Sequence, residues 1–151
     1  MKSQKRLQID QLDRKLAGHL SFPDPPTKGW IHTIRTAMNM SLRQLGSRLG
    51  ITTQSAQEIE AREANGSITL KSLRDVGSAM NMKLVYGFVP QDGTFDEMLE
   101  KQAIRIAREI VRRTDTTMKL EDQRVSKERI GKAVHELADE IRREMPRYLW
   151  D

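Results

Sequence analysis

The residues best suited to chemistry are polar side chains that fall on one face of a predicted helix. Four of them share this face: Thr53, Gln54, Gln57 and Glu58. Each carries a hydrogen-bond donor or acceptor, as a side chain needs to read the edges of base pairs in a major groove. Gln54 can pair with N6 and N7 of adenine and discriminate by about 1–3 kcal/mol. Glu58 leaves two interpretations open, because it can accept from cytosine N4 or orient a neighbouring arginine.

Two short helices joined by a tight turn are predicted to position this face. Ser41 begins the first helix, Gln44 completes its capping box, and Gly50 suits a left-handed exit. Thr52 then caps the second helix. Leucines recur in the first helix at helical spacing: Leu42, Leu45 and Leu49. The apolar residues that turn the second helix toward the first are Ile51, Ala56 and Ile59. This arrangement is typical of a helix-turn-helix.

The composition indicates a helical protein with a mildly basic surface. The chain has 151 residues, 37% hydrophobic, 31% charged and only 5% aromatic, which argues against an all-β sandwich or barrel. The formal net charge is +5, which fits a polyanionic partner, although many enzymes share so small a surplus. The sequence has no cysteine, which excludes disulfides and thiol chemistry and fits a reducing cytoplasm.

The sequence carries no motif for catalysis, metal binding or membrane insertion. Its histidines, His19, His32 and His135, lack metal-ligand spacing. It has no glycine-rich phosphate loop, nucleophile elbow or HxFxxGN-like motif. The first ten residues lack the apolar core of a signal peptide, and no apolar run approaches the ~20 residues that cross a bilayer. We therefore expect a cytoplasmic protein that is not an enzyme and uses no metal, cofactor or membrane.

The pattern along the chain predicts three regions. Residues 1–28 form an N-terminal arm helix and a proline-rich linker. Residues 29–90 contain the two capped helices, with further helices before and after them. Residues 91–151 return to helical spacing and are expected to support a dimer or bind a partner. The apolar stripe of the arm helix is Leu7, Ile9, Leu12, Leu16 and Leu20.

The segment KLVYGFV, residues 83–89, is predicted to be a β-strand because it is short, β-branched and aromatic. It has no evident partner strand in the chain, so pairing with the same strand of a second copy would satisfy its backbone groups. Its central side chains would be Leu84, Tyr86 and Phe88. The alternative is that the segment packs as extended chain on its own helices.

The pattern LxxLxxxLGIxxxxAxxIE, within about Ile34 to Val85, resembles helix-turn-helix domains of the phage-repressor (Cro/CI, XRE) type. The runs GWIHTIRTAMNMSLRQLG, ANGSITLKSLRDVGSAMNMKLVYGFVP and TTMKLEDQ also resemble the family called mobile mystery protein A. The resemblance implies an all-α protein. Its parts are a five-helix Cro/CI-type helix-turn-helix domain, an N-terminal arm helix, one short dimerising β-strand and C-terminal helices.

The resemblance also implies a function. Proteins of this narrower family are typically encoded beside a Fic-domain protein. The resemblance therefore implies that this chain is the antitoxin and autorepressor of a toxin–antitoxin pair with a Fic-domain toxin. A homodimer would read a near-palindromic promoter operator in double-stranded DNA, with half-sites about 34–36 Å apart. The rival hypothesis is a protein inhibitor that wraps a Fic-type AMP-transferase and uses the helix-turn-helix as scaffold.

Position by position, Thr53, Gln54 and Glu58 match the base-reading positions of phage repressors, and Arg35 with Glu60 match an internal ion pair. Gln57 and Ser55 are candidates for flanking or backbone contacts. One departure is Leu42, where phage repressors often place a glutamine that braces a phosphate. Either Arg43 takes over the phosphate or Leu42 turns into the core.

Several further residues have a functional and an ordinary interpretation. Thr52 and Ser55 are candidates for contacts with the DNA backbone. Three cations near helix ends can also contact DNA phosphates or remain solvated charges: Arg43, Arg48 and Lys71. Thr117 and Glu121 resemble the [S/T]xxxE[G/N] motif of Fic inhibitors, although Asp122 departs from it, or they belong to a loop between helices. The aromatic residues Tyr148 and Trp150 can anchor a partner or cover the C-terminal helices.

Overall fold

The computed structural model describes residues 4–19, 23–115 and 123–151, and the chain is helical throughout these ranges apart from its turns and connections. The prediction of an all-α protein is therefore confirmed. The described residues form seven α-helices and one 3₁₀ helix. In chain order they are α1 (Gln4–Leu16), α2 (Trp30–Ala37), α3 (Leu42–Leu49), α4 (Thr53–Asn65), α5 (Leu70–Ala79), α6 (Phe95–Asp115), α7 (Gln123–Glu144) and a 3₁₀ helix over Arg147–Trp150.

The chain divides into two compact units, and the central unit is Phe22–Gly87. Its described part contains four helices, α2 to α5, and not the five that were predicted. The buried side chains of its core come from α2, α3, α5 and the residue that ends α5: Ile31, Leu45, Val76 and Met80. After α5, Asn81 adopts a positive φ of 58°, which ends the helix, and the β-branched and aromatic residues that follow have low helix propensity.

The predicted β-strand is absent from the described single chain, where residues 83–89 have no regular secondary structure. A strand needs the backbone of a neighbour, and the described residues offer none. Leu84 is half-buried, whereas Tyr86 and Phe88 are 62% and 90% exposed. Arg74 of α5 donates a hydrogen bond of 2.9 Å to the Tyr86 hydroxyl and lies 5.5 Å from the centre of its ring. The contact between Arg74 and Tyr86 thus holds the segment against α5.

The second unit combines Met1–Ser21 with Phe88–Asp151, so the N-terminal helix belongs with the C-terminal helices. Its core lies mainly between α6 and α7, with buried Leu99, Ala107 and Ile141. Leu149 of the 3₁₀ helix is completely buried in the same core. Its aromatic neighbours Tyr148 and Trp150 stay 45% and 58% exposed, so Leu149 is the residue that closes this end of the core.

Helix α1 is joined to α6 by polar groups. Leu7 and Leu12 are both exposed. The Asp13 carboxylate instead accepts hydrogen bonds from the backbone N–H groups of Phe95 and Asp96, at 2.7 and 3.1 Å. This places a negative charge at the N-terminus of α6, where the helix dipole favours it.

Asp96 is the centre of an ion cluster in this unit. It accepts from Arg6 of α1 at 2.7 Å and from Arg142 of α7. Burial opposes ionisation of Asp96, but the hydrogen bonds from Arg142 and Arg6 outweigh it and hold the pKa of the carboxyl below its ordinary value. The cluster joins α1, α6 and α7 by one carboxylate.

Candidate nucleic-acid interface

Helix α3 and the turn after it are held by a capping box at the start of the helix and by two glycines. Ser41 Oγ accepts from the N–H of Gln44 at 3.1 Å, and Gln44 Oε1 accepts from the N–H of Ser41 at 2.8 Å, which completes the capping box. Gly50 ends the helix in the left-handed region with a φ of 69°. A β-carbon at Gly46 would lie 2.9 Å from the carbonyl oxygen of Ile51. Only glycine allows so close an approach of turn and helix, a requirement that the sequence analysis missed.

Helix α4 begins at a threonine–serine cap. Thr52 Oγ1 accepts from the N–H of Ser55 at 3.0 Å and donates to Ser55 Oγ at 2.9 Å. Both hydroxyls, predicted to contact the DNA backbone, therefore serve first to fix the start of α4. Ser55 Oγ accepts in this cap, so its own hydroxyl proton is not used there.

The inner face of α4 is tied to α2 by a buried ion pair, which brings Arg35 and Glu60 together as the resemblance implied. Arg35 Nε lies 2.7 Å from Glu60 Oε2, and Arg35 Nη2 lies 3.0 Å from Glu60 Oε1. Arg35 and Glu60 are 8% and 7% exposed. Arg35 Nη1 also donates to the carbonyl oxygen of Met40 at 2.7 Å, and His32 Nδ1 lies 3.0 Å from Glu60 Oε1. One guanidinium thus joins α2, the α2–α3 connection and α4.

The environment of this pair favours the ionised forms of both side chains. Burial raises the pKa of Glu60, but hydrogen bonds from Arg35 and His32 outweigh it, so the pKa lies below its ordinary value. The hydrogen bond to Glu60 raises the pKa of Arg35. The pair is therefore fully ionised at neutral pH.

A second carboxylate on α4 caps α2, a role that the sequence analysis missed. Glu63 Oε1 accepts from the backbone N–H of Ile31 at 2.8 Å. Helix α2 begins after Gly29, which has no side chain to supply a cap, and a β-carbon there would lie 2.5 Å from Glu63 Oε1. A glycine before a helix without a local cap is the signal that could have pointed to a distant carboxylate.

The outer face of α4 presents the predicted base-reading residues to solvent. Thr53, Gln54, Gln57 and Glu58 are all exposed. Glu58 lies 3.8 Å from Arg62 in an exposed i,i+4 pair. This contact corresponds to the interpretation in which Glu58 orients a neighbouring arginine. The same face continues into two small exposed residues, Ala61 and Ala64. Small side chains beside polar ones let a helix backbone come close to the floor of a groove.

The predicted phosphate-binding cations occupy different environments. Arg43 and Lys71 are exposed in the first turns of α3 and α5, respectively. Leu42, which precedes Arg43, is half-buried. Arg48 donates at 3.1 Å to the carbonyl oxygen of Ala79, so it closes the C-terminus of α5. Four of its five N–H donors remain for other acceptors.

The starts of α3, α4 and α5 share an electrostatic feature. None has an acidic residue in its first turn. Their N-terminal dipole ends therefore stay uncompensated, which suits phosphate oxygens. Thr69 caps α5 as Thr52 caps α4, with Thr69 Oγ1 accepting from the N–H of Ser72 at 3.1 Å.

Thr117 and Glu121, the residues of the possible inhibitory motif, lie outside the described residues. Across residues 4–19, 23–115 and 123–151, no group of His, Cys, Asp and Glu is placed to hold a metal ion. No helix in these ranges is long and apolar enough to cross a membrane. Comparisons with protein-family models, curated proteins and solved structures gave no match.

Proposed function

We propose that this protein is a sequence-specific DNA-binding regulator of transcription and that α4 is its recognition helix. The observation that carries the proposal is the contrast between the two faces of α4. The inner face is held by Glu60 and Glu63, whose carboxylates both reach α2. The outer face exposes Gln54 and Gln57, amide side chains that can pair with adenine in the major groove.

The bracing of α4 supports direct base reading because specificity requires side chains held in a fixed register. Three independent devices fix α4 before any ligand binds: the Thr52 cap, the close approach at Gly46 and the Arg35–Glu60 pair. Little ordering entropy would then be lost when the outer face docks. Arg43 and Lys71, at the starts of α3 and α5, are placed to hold phosphates and so to set that register.

The test of base reading is a gel shift of the purified chain on the DNA upstream of its own gene. We expect Gln54→Ala to reduce discrimination between that DNA and a scrambled duplex by about 1–3 kcal/mol, since the bidentate contact with adenine would be lost. The matched control is Gln11→Ala, an exposed glutamine of α1, which should bind as the unaltered protein does. Equal binding of both duplexes by the unaltered protein would contradict the proposal.

We also propose that two copies pair through residues 83–89. The segment exposes large hydrophobic side chains that a monomer would leave in water: Val85, Tyr86, Phe88 and Val89. Its backbone has no ladder partner in the described part of the chain. Antiparallel pairing with a second copy would satisfy the backbone and cover these side chains.

Proline substitution tests this pairing. We expect Val85→Pro or Tyr86→Pro to convert a dimer to a 17.4 kDa monomer in light scattering. One of these two adjacent residues donates to the ladder in any register, and proline removes the donor. Tyr86→Ala is the control, because it loses the contact with Arg74 but keeps its N–H. A dimer that survives both prolines would rule out pairing through this segment.

The pairing of this regulator with a Fic-domain toxin, as antitoxin and autorepressor, rests on the resemblance of the sequence alone. A partner of this kind would bind outside the recognition face of α4. The exposed aromatic residues Tyr148 and Trp150 belong to the second unit and offer apolar area for such a contact.

A further inference from the structure

A row of cations runs along the side of α6 that faces away from the core. Its members follow one another at intervals of four, three and four residues: Lys101, Arg105, Arg108 and Arg112. At 3.6 residues per turn this spacing confines them to a sector of about 60°, opposite the buried residues of α6. All four side chains are exposed. We call this row the α6 basic face.

The α6 basic face lowers the stability of α6 as an isolated helix. Like charges at i,i+3 and i,i+4 spacing repel one another, and each such pair destabilises a helix. Between Lys101 and Arg112 no carboxylate lies within the row. Glu109 stands at its margin, 3.9 Å from Arg105 and 3.4 Å from Arg113. Arg105 bonds Gln102 and the Asp151 carbonyl oxygen. Lys101, Arg108 and Arg112 have no hydrogen bond or ion pair with the described residues, so these three charges are better explained by an anionic ligand.

The dimensions of the face suit a regular series of anions. Lys101 and Arg112 are separated by eleven residues, which corresponds to about 16 Å along the helix axis. The side chains enclose an open groove of about 770 Å³, lined also by Ile104 and Glu109. The cations therefore recur about every 4.5–6 Å, close enough to meet successive phosphates of one strand.

We propose that the α6 basic face binds the phosphate backbone of double-stranded DNA without regard to sequence. Charge complementarity favours this ligand over an acidic protein surface. Protein interfaces need apolar anchors at their centre, whereas this face offers a single half-buried aliphatic residue, Ile104. The contact is independent of base reading by α4, because phosphates are present in every duplex.

The test uses the full chain and a labelled duplex of random sequence, with binding measured by fluorescence anisotropy over a range of KCl concentrations. The variant is Lys101→Gln/Arg108→Gln/Arg112→Gln; Arg105 is kept because it also bonds Gln102 and the Asp151 carbonyl. We expect at least about tenfold weaker binding at low salt. The slope of log K against log salt should become shallower by up to about 2.7, since each lost phosphate contact removes about 0.9.

The matched control is Lys127→Gln/Lys132→Gln/Arg143→Gln, which removes the same charge from exposed positions of α7. It should keep nearly the unaltered slope. The α6 variant should melt no lower than the unaltered protein, because like-charge repulsion is relieved. An unchanged slope in the α6 variant, or an equal change in both variants, would overturn the proposal. Loss of operator discrimination in Gln54→Ala has no bearing on this result, since a random duplex contains no operator.

Discussion

Replacing Arg35 with methionine should lower the free energy of unfolding of the central unit by about 3–5 kcal/mol. The substitution removes both guanidinium contacts and so leaves the carboxylate of the buried Glu60 without its charged partner. It also leaves the carbonyl oxygen of Met40 without its donor. Urea denaturation should be followed by Trp30 fluorescence in a Trp150→Phe background, because each of the two tryptophans belongs to a different unit.

Two control variants separate the buried charge from a general effect of losing a cation. Arg43→Met removes an exposed arginine of the same unit and should change stability by less than about 0.5 kcal/mol. Arg35→Met/Glu60→Met removes both charges and should recover much of the loss, since a buried pair can be replaced by apolar groups at little cost. A single variant as stable as the unaltered protein would show that the pair does not hold α4.

The same pair makes the stability of the central unit depend on pH in a defined direction. The pKa of Glu60 is depressed below 4.5 in the folded state. Its contribution is therefore fully present above the unfolded value, near pH 4.5, and is lost as the pH falls through the lower folded value. The stability difference between the unaltered protein and Glu60→Gln should therefore shrink as the pH falls below about 4.5. A difference that grows in acid would contradict this assignment.

Leu149→Ala should destabilise the second unit by about 2–5 kcal/mol, the cost of removing a fully buried leucine without collapse of its cavity. Leu149 has no exposed surface and lies in the core with Leu99 and Ile141. The neighbouring Trp150 reports this unit in a Trp30→Phe background, again by urea denaturation.

The control for this substitution is Leu12→Ala, the same chemical change at an exposed position of α1 in the same unit. It should cost under about 1 kcal/mol, because little apolar surface returns to water. Equal losses in the two variants would mean that the 3₁₀ helix does not close the core.

Local sequence signals were sufficient where the deciding interactions lie within a few residues of one another. The Ser41–Gln44 capping box, the left-handed exit at Gly50 and the Thr52 cap all appear in the structure as predicted. The outward placement of Gln54 and Gln57 follows from the same helical spacing. Caps and helical periodicity are set by backbone geometry, which short stretches of sequence encode directly.

The strand and the arm helix show where local pattern misled. Residues 83–89 have strand-like composition, but a strand exists only when another backbone lies beside it. In α1 the apolar stripe did not indicate how the helix is held: Arg6 and Asp13 contact α6, and Leu7 and Leu12 stay exposed. In both segments side-chain composition did not determine the neighbour.

The sequence by itself determined the all-α class, the bounds of the capped pair and the polar face of α4, because each depends on contacts a few residues apart. The tertiary structure alone decided that Glu63 caps α2, that Leu149 fills the second core and that Asp13 caps α6. The first and last of these contacts join residues 32 and 82 positions apart, and the carbonyl oxygen of Leu149 accepts a hydrogen bond from Gln102, 47 positions away. Such pairings depend on how helices pack in space, and no local spacing encodes them.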